Sequence, residues 1–127
     1  LNIPLTYASI SIERVYMKKL SWVSSSKKDL MEFPEEVIQE IGYALYLSQK
    51  GEYYNKVKPF KGYGSGVYEI AIEYNKNAYR SVYIVNLADT VYVLHCFQKK
   101  SKSGIKTPKE EIQVIEQRLK LLRHEIR

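Results

Sequence analysis

Two strand-like segments each carry a side chain suited to acid–base or phosphate chemistry. Arg80 lies in the middle of one, and strand alternation places it on a face with Ala78, Val82 and Ile84. An arginine is costly to bury unpaired, so we expect it to pair with a carboxylate or to line a wet groove. Glu69, on the preceding strand, is the candidate carboxylate. A purely structural Arg–Glu pair is the competing interpretation.

His95 lies in the next strand-like segment, where alternation places it on a face with Val91, Val93 and Phe97. Histidine gains and loses a proton near neutral pH, which suits it to general acid or base work. A histidine that merely packs on the strand face is the competing interpretation. The adjacent Cys96 must point to the opposite face, so we expect a buried thiol and no nucleophile–base pair.

The glycine-rich stretch Gly62–Gly66 resembles a phosphate-binding loop only superficially. Such a loop follows a strand, precedes a helix and closes with Lys-Ser or Lys-Thr, whereas these glycines precede a strand. We therefore expect a tight turn. The single cysteine also excludes a disulfide framework and a cysteine-rich zinc module.

The positive charge is confined to one part of the chain. The whole chain carries a net +6, and residues 50–106 alone hold ten basic and four acidic residues. A basic segment rich in tyrosine and strand-like sequence favours an RNA-binding surface over a solvated face. Lysines occur in the loop before the first strand and in the loop after the third strand of the predicted sheet. These loops should lie at opposite ends of the sheet, because the first and third strands of a meander run parallel. We expect an elongated groove with Arg80 and His95 between the two basic ends, and with Tyr63 and Tyr79 as exposed aromatic residues. The lysines at its two ends are Lys56, Lys58, Lys61, Lys99, Lys100, Lys102 and Lys106.

The elements that must position these residues follow from hydrophobic periodicity and turn signals. We predict a strand at 18–23, a helical hairpin over 25–50, and a loop over 52–66. Strands at 67–74, 78–85 and 90–98 form an antiparallel meander, and a helix begins near the capping box Thr107–Glu110. The order β-α-α-β-β-β-α predicts an α+β domain, with a helical hairpin and a C-terminal helix packed on a small twisted antiparallel sheet.

The chain length of 127 residues favours one domain, and no apolar run approaches the length of a membrane span. Residues 1–16 differ from the remainder and lack the features of a secretory signal. We expect them to be an N-terminal extension, or to lie upstream of a natural start at Met17, with the domain spanning 17–127.

Several motifs together resemble the phage-derived Gp49-like family, the HigB-type toxins of the RelE/ParE superfamily. The resemblance covers about residues 17–125. Its ordered motifs are Trp22–Leu30, Phe33–Val37, Ile41–Leu45, Lys58–Gly64, Gly66–Ile70, Tyr79–Tyr83, Tyr92–Ser101 and Thr107–Pro108.

This resemblance implies a cytoplasmic protein that is the toxin half of a type II toxin–antitoxin pair. Its partners would be a helix-turn-helix, HigA-like antitoxin and the translating ribosome with its mRNA. The implied activity is ribosome-dependent cleavage of mRNA through attack by the ribose 2′-OH, with no metal or cofactor. The alternatives are a ParE-like inhibitor of DNA gyrase and a catalytically inactive relative that binds RNA or antitoxin.

The resemblance also assigns roles to individual residues. Arg80 matches the arginine of the family's Tyr-Arg strand motif and would bind the scissile phosphate. His95 would be a general acid or base, and Glu69, where RelE carries lysine, either a general base or an anchor for Arg80. Lys99 completes the catalytic set. The RNA-binding set is Lys58, Lys61, Tyr63, Tyr79, Lys100 and Lys102.

Overall fold

The computed structural model describes residues 17–99 and 106–126, which form five strands and three helices. The strands are β1 (Lys19–Trp22), β2 (Val57–Pro59), β3 (Val67–Tyr74), β4 (Asn77–Leu87) and β5 (Thr90–Lys99). The helices are α1 (Ser26–Met31), α2 (Glu35–Gln49) and α3 (Lys109–Ile126). The predicted α+β class, the helical hairpin, the three-stranded meander and the C-terminal helix are thereby confirmed.

The sheet has the strand order β1-β5-β4-β3-β2, and it differs from the prediction at both edges. At one edge β1 pairs with β5 in parallel, so the sheet is mixed rather than wholly antiparallel. At the other edge, part of the predicted 52–66 loop forms β2, which pairs antiparallel with Tyr68–Ile70 of β3. This strand is short and ends at Pro59. A proline cannot donate a backbone hydrogen bond, and an edge strand tolerates it because one side of the strand has no neighbouring strand to receive one.

Helices cover both faces of the sheet. The hairpin of α1 and α2 packs on one face, where Ile41 and Leu45 lie among buried residues of β3, β4 and β5. Helix α3 packs on the other face through Ile115, Leu119 and Leu122. We call this second surface the α3 face. Its buried apolar strand residues are Val67, Val82, Ile84, Leu94 and Phe97.

A β-bulge in β5 changes which side chains share the α3 face. The register pairs Val82 with His95 but Tyr83 with Val93, so Leu94 is an extra residue on β5. Beyond the bulge, His95 and Phe97 lie on the α3 face, whereas Val91 and Val93 lie under the hairpin. The predicted common face for these four residues was therefore wrong, because simple alternation does not anticipate an inserted residue.

Two further expectations concern residues 1–16 and the absence of a membrane span. Residues 1–16 lie outside the described part of the chain, so their status as an extension stays a prediction. Within residues 17–99 and 106–126, no helix is both long enough and apolar enough to cross a bilayer.

Candidate functional site

A charged cluster lies on the α3 face, centred on Arg80 of β4. Arg80 is only 8% exposed, and Glu69 of β3 is 5% exposed. The Arg80 Nε atom lies 3.8 Å from Glu69 Oε2, and its Nη1 donates to Glu73 Oε2 at 3.2 Å and to the Tyr79 carbonyl at 3.1 Å. The predicted Arg80–Glu69 pair is thus present, with Glu73 as a second carboxylate.

The strand register explains why two carboxylates of β3 reach one arginine. Arg80 lies opposite Ala71, so its neighbours two residues away on the same face of β3 are Glu69 and Glu73. The guanidinium therefore lies between them, as its planar fork of five donors allows. This arrangement fixes the position of the positive charge on the sheet.

Two lysines from the flanking strands β2 and β5 join this cluster. Lys58 of β2 lies directly opposite Glu69, and its Nζ is 3.8 Å from Glu69 Oε1. Lys99, at the end of β5, lies opposite Ala78, diagonally next to Arg80 on the same face, and is 5% exposed. Both lysines lie close enough to Arg80 or Glu69 to interact with them electrostatically.

The convergence of Lys58 and Lys99 revises the predicted elongated groove. The start of β3 and the end of β5 do lie at opposite ends of the sheet, as expected. However, residues 57–59 fold back alongside β3 as an edge strand, and this places Lys58 beside the middle of β3. Lys58 and Arg80 consequently flank Glu69, and Lys99 lies on the far side of Arg80 in the same cluster.

The environment of Lys99 changes its acid–base properties. Burial lowers the pKa of Lys99 below its ordinary value, and the positive charges of Arg80 and Lys58 lower it further. Glu69 and Glu73 act in the opposite direction but do not cancel the shift. A lysine with a lowered pKa has a larger neutral fraction near physiological pH, which is what a general base requires.

His95 occupies the same cross-strand row as Val82, Glu69 and Lys58. Its Nε2 lies 2.7 Å from Glu111 Oε1 in the first turn of α3. Its ring stacks on Phe97, with centroids 5.0 Å apart, and Phe97 is the residue directly opposite Arg80. The imidazole is therefore held on the same face as Arg80, diagonally across from it.

Arg118 of α3 contacts the other side of the imidazole. Its Nη1 donates to the Leu94 carbonyl at 2.8 Å and lies 3.5 Å from His95 Nδ1. Its Nη2 donates to Ser25 Oγ at 2.9 Å, and the Ser25 hydroxyl donates to Asp29. When the ring is neutral, this geometry favours the tautomer with its proton on Nε2, because Arg118 can only donate to Nδ1.

The remaining predicted RNA-binding residues are not all close to this cluster. Tyr79 is 5% exposed and packs against Phe33 under the hairpin, so the expectation that it is exposed was wrong. It belongs to the opposite face because it neighbours Arg80 in the strand. Lys61 is exposed, and Tyr63 lies half-buried beside α3. Lys100 and Lys102 lie outside the described residues.

Cys96 fits its predicted role as a buried thiol. It faces the hairpin, where its Sγ lies 3.4 Å from Ser81 Oγ, and burial raises its pKa to about 12. A thiol in this state is a poor nucleophile at neutral pH. Within residues 17–99 and 106–126, no group of three or more His, Cys, Asp and Glu side chains is placed to hold a metal ion.

Sequence reasoning missed Glu73, Glu111, Arg118 and the part that Ser25 plays. Glu73 was accessible from the sequence, since it follows Glu69 by four residues in one strand and so shares its face. Glu111 and Arg118 are seven residues apart, two turns on one side of α3. Ser25 occupies the N-cap position of α1, but its hydroxyl binds side chains instead of capping the backbone.

The contact with Glu111 predicts a spectroscopic signature for His95. The chain has two histidines, and the other, His124, is exposed, which simplifies assignment. At a pH where the ring is neutral, ¹⁵N-correlated NMR should show the His95 proton on Nε2 and exchanging slowly. Glu111→Ala should accelerate that exchange, whereas Glu110→Ala, a matched change at an exposed neighbour, should not. An unchanged signal in the Glu111 variant would contradict the assignment.

Comparison with known proteins agrees with the motifs. The family model for phage-derived proteins of the Gp49-like type matches residues 28–120, which is 93 of the 127 residues. That family is associated with the toxins of toxin–antitoxin systems. Searches of curated proteins and of solved structures gave no significant match. The extent of the family match shows that this chain belongs to the phage-derived Gp49-like family.

Proposed function

We propose that this chain is the toxin of a type II toxin–antitoxin pair and that it cleaves mRNA on the ribosome. Family membership supports the toxin assignment. The observation that carries the nuclease assignment is the cluster in which Lys58 and Arg80 flank the buried carboxylate of Glu69 and Lys99 lies beside Arg80. A helix-turn-helix antitoxin is the proposed protein partner.

The proposed reaction is an intramolecular transesterification of RNA. The ribose 2′-oxygen forms a bond to the adjacent phosphorus, and the bond between that phosphorus and the 5′-oxygen of the next nucleotide breaks. A base takes the 2′-hydroxyl proton, and an acid gives a proton to the departing 5′-oxygen. The products are a 2′,3′-cyclic phosphate and a 5′-hydroxyl. Negative charge develops on the phosphate oxygens and requires fixed donors.

Arg80 is the proposed phosphate ligand. A guanidinium fork matches two phosphate oxygens, and its charge does not vary in the physiological pH range. Glu69 and Glu73 hold Arg80 in place from both sides before substrate arrives. In this proposal Glu69 is the anchor of Arg80, since its carboxylate already lies between Arg80 and Lys58. Lys58, with a side chain 66% exposed, and the exposed Lys61 contact the RNA backbone.

Lys99 is the proposed general base, and His95 the proposed general acid. The lowered pKa of Lys99 supports its assignment, because the neutral amine is the form that accepts the 2′-hydroxyl proton. For His95, the short contact of Nε2 with Glu111 orients the ring, in the way that a carboxylate orients histidine in hydrolase triads. As the acid, His95 must be doubly protonated: the Nε2 proton stays hydrogen-bonded to Glu111, and Nδ1, whose 3.5 Å contact with Arg118 is the weaker one, carries the proton given to the departing 5′-oxygen.

Removal of Arg80 should slow cleavage strongly. In a cell-free translation reaction, purified wild-type protein should produce new mRNA 5′ ends within translated codons, mapped by primer extension. These ends should be absent without ribosomes. Arg80→Ala should reduce their rate of appearance by about 10²–10³-fold, the usual effect of deleting a charge-stabilising donor. Arg80→Lys keeps a charge beside the buried Glu69, and it should also lose most activity because lysine lacks the planar fork.

Each variant must first show a wild-type thermal unfolding transition, since Arg80→Ala leaves the Glu69 carboxylate without its arginine. A folded Arg80→Lys protein that cleaves at the full rate would refute the assignment. Intact mRNA with unaffected translation in the wild-type reaction would refute the nuclease and lead to a DNA gyrase supercoiling assay.

The role of Lys99 predicts a particular pH dependence. The cleavage rate should rise with pH at the acid end of the profile, where the neutral fraction of Lys99 grows, and this limb should end where the general acid begins to lose its own proton. Lys99→Arg keeps the charge but cannot release its proton, so the rate should fall by about 10²–10⁴-fold and this rising limb should disappear. A single-turnover pH profile, within the range where ribosomes stay intact, measures both. An unchanged profile in Lys99→Arg would show that Lys99 supplies only charge.

A further inference from the structure

A second cleft on the α3 face lies away from the Arg80 cluster, where the loop before β3 meets the C-terminal half of α3. It has a volume of about 400 Å³. It is lined by Tyr63, Glu116, Leu119, Lys120, Arg123 and His124. Its polar lining is predominantly basic, and Lys120 and Arg123 are exposed to solvent. No role in the proposed cleavage step falls to this cleft.

The glycine-rich turn that precedes β3 is what shapes the cleft. The Arg123 Nη2 atom donates to the Tyr63 carbonyl at 2.6 Å, so the guanidinium lies directly against the turn. Gly64 has a φ of +95°, and a Cβ atom there would lie 2.6 Å from Arg123 Nη2. Any other residue at position 64 would therefore displace the arginine as well as strain the backbone. The lack of a side chain at Gly64 therefore leaves room for Arg123 to lie beside Tyr63.

An aromatic platform forms the adjoining wall. The rings of Phe60 and Tyr63 stack with centroids 5.2 Å apart and planes at 23°. Phe60 also packs into the α3-side core, which fixes the position of the pair. Phe60 directly follows β2, whose Lys58 contacts Glu69 in the Arg80 cluster. The platform and the cluster are thus joined by a short stretch of chain on one face of the protein.

We infer that this cleft is a second RNA-binding subsite, which takes one nucleotide of a single strand at a distance from the scissile phosphate. The base stacks on Tyr63, and the phosphate lies between Lys120 and Arg123. Two exposed cations beside an aromatic ring match a single-stranded nucleic acid, whose bases are unstacked and whose backbone carries one negative charge per nucleotide. The inference rests on the proposed function for its choice of RNA as the ligand, but it makes a separate claim about binding.

The test is equilibrium binding of a fluorescein-labelled single-stranded RNA of about 12 nucleotides, measured by anisotropy over a series of salt concentrations. The RNA is 2′-O-methylated throughout, so that it cannot be cleaved by 2′-hydroxyl attack. The double variant Lys120→Glu with Arg123→Glu should raise the Kd at least tenfold and reduce the magnitude of the salt slope by about 0.7, the value for one lost phosphate contact.

The matched control is Lys27→Glu with Lys28→Glu, which changes the net charge equally on exposed residues of α1. It should leave the salt slope unchanged. Equal losses in the two double variants would overturn the inference, because they would show only the effect of net charge. Absence of measurable binding by the wild-type protein would also overturn it.

A second pair of variants avoids the structural contact of Arg123 with the turn. Tyr63→Ala should weaken binding by about fivefold or more, as expected for loss of one stacked base, whereas Tyr63→Phe should bind like wild type because it keeps the ring. Equal binding by all three proteins would contradict the platform.

These binding measurements separate the subsite from the proposed nuclease. If the protein cuts no mRNA on ribosomes but binds RNA through Tyr63, Lys120 and Arg123, the proposed function fails and the subsite stands. If it cuts mRNA through Arg80 and the cleft variants bind RNA like the α1 control, the subsite fails and the proposed function stands.

Discussion

The burial of Glu69 on the sheet is the constraint on which the rest of the site depends. A carboxylate that is 5% exposed needs positive partners, since an unpaired buried charge costs several kcal/mol. Arg80 and Lys58 supply them from the two neighbouring strands. The order β4-β3-β2 therefore does more than complete the sheet, because it brings cations from two strands, β4 and β2, to either side of one anion on β3. Lys99 at the end of β5 adds a further cation, and burial keeps its pKa low.

Helix α3 links this cluster to the stability of the domain. Its apolar residues Ile115, Leu119 and Leu122 cover one end of the α3 face and exclude water there. The first turn and the middle of the helix supply Glu111 and Arg118 to the His95 ring. The orientation of the imidazole therefore depends on the docking of α3 on the sheet. The same helix presents Lys120 and Arg123 at its other end, so both basic regions are set by its packing.

Most of the fold followed from local sequence patterns, whereas much of the site did not. Periodicity and turn residues predicted the hairpin, the meander and the C-terminal helix, and they paired Arg80 with Glu69. Strand β2 was missed because three residues ending in proline carry no strand signal. Without this strand, the sequence placed Lys58 in a loop at the end of the sheet and not beside Glu69. The bulge at Leu94 was missed because alternation assumes an unbroken register, and it moved His95 to the α3 face. The contacts of Glu111 and Arg118 with His95 depend on how α3 packs on the sheet, and residue spacing within a single strand or helix does not predict that packing.

The central claim is that the charged cluster around Arg80 promotes cleavage of RNA in which the ribose 2′-hydroxyl is the nucleophile. The most direct measurement uses an mRNA in which one nucleotide, immediately 5′ of a mapped cleavage position, is replaced by its 2′-deoxy form. In a ribosome-containing reaction the unmodified message should yield a 2′,3′-cyclic phosphate and a 5′-hydroxyl, and the deoxy message should stay intact at that position. Cleavage of the deoxy message at a comparable rate would contradict the account, because the nucleophile would then come from outside the RNA.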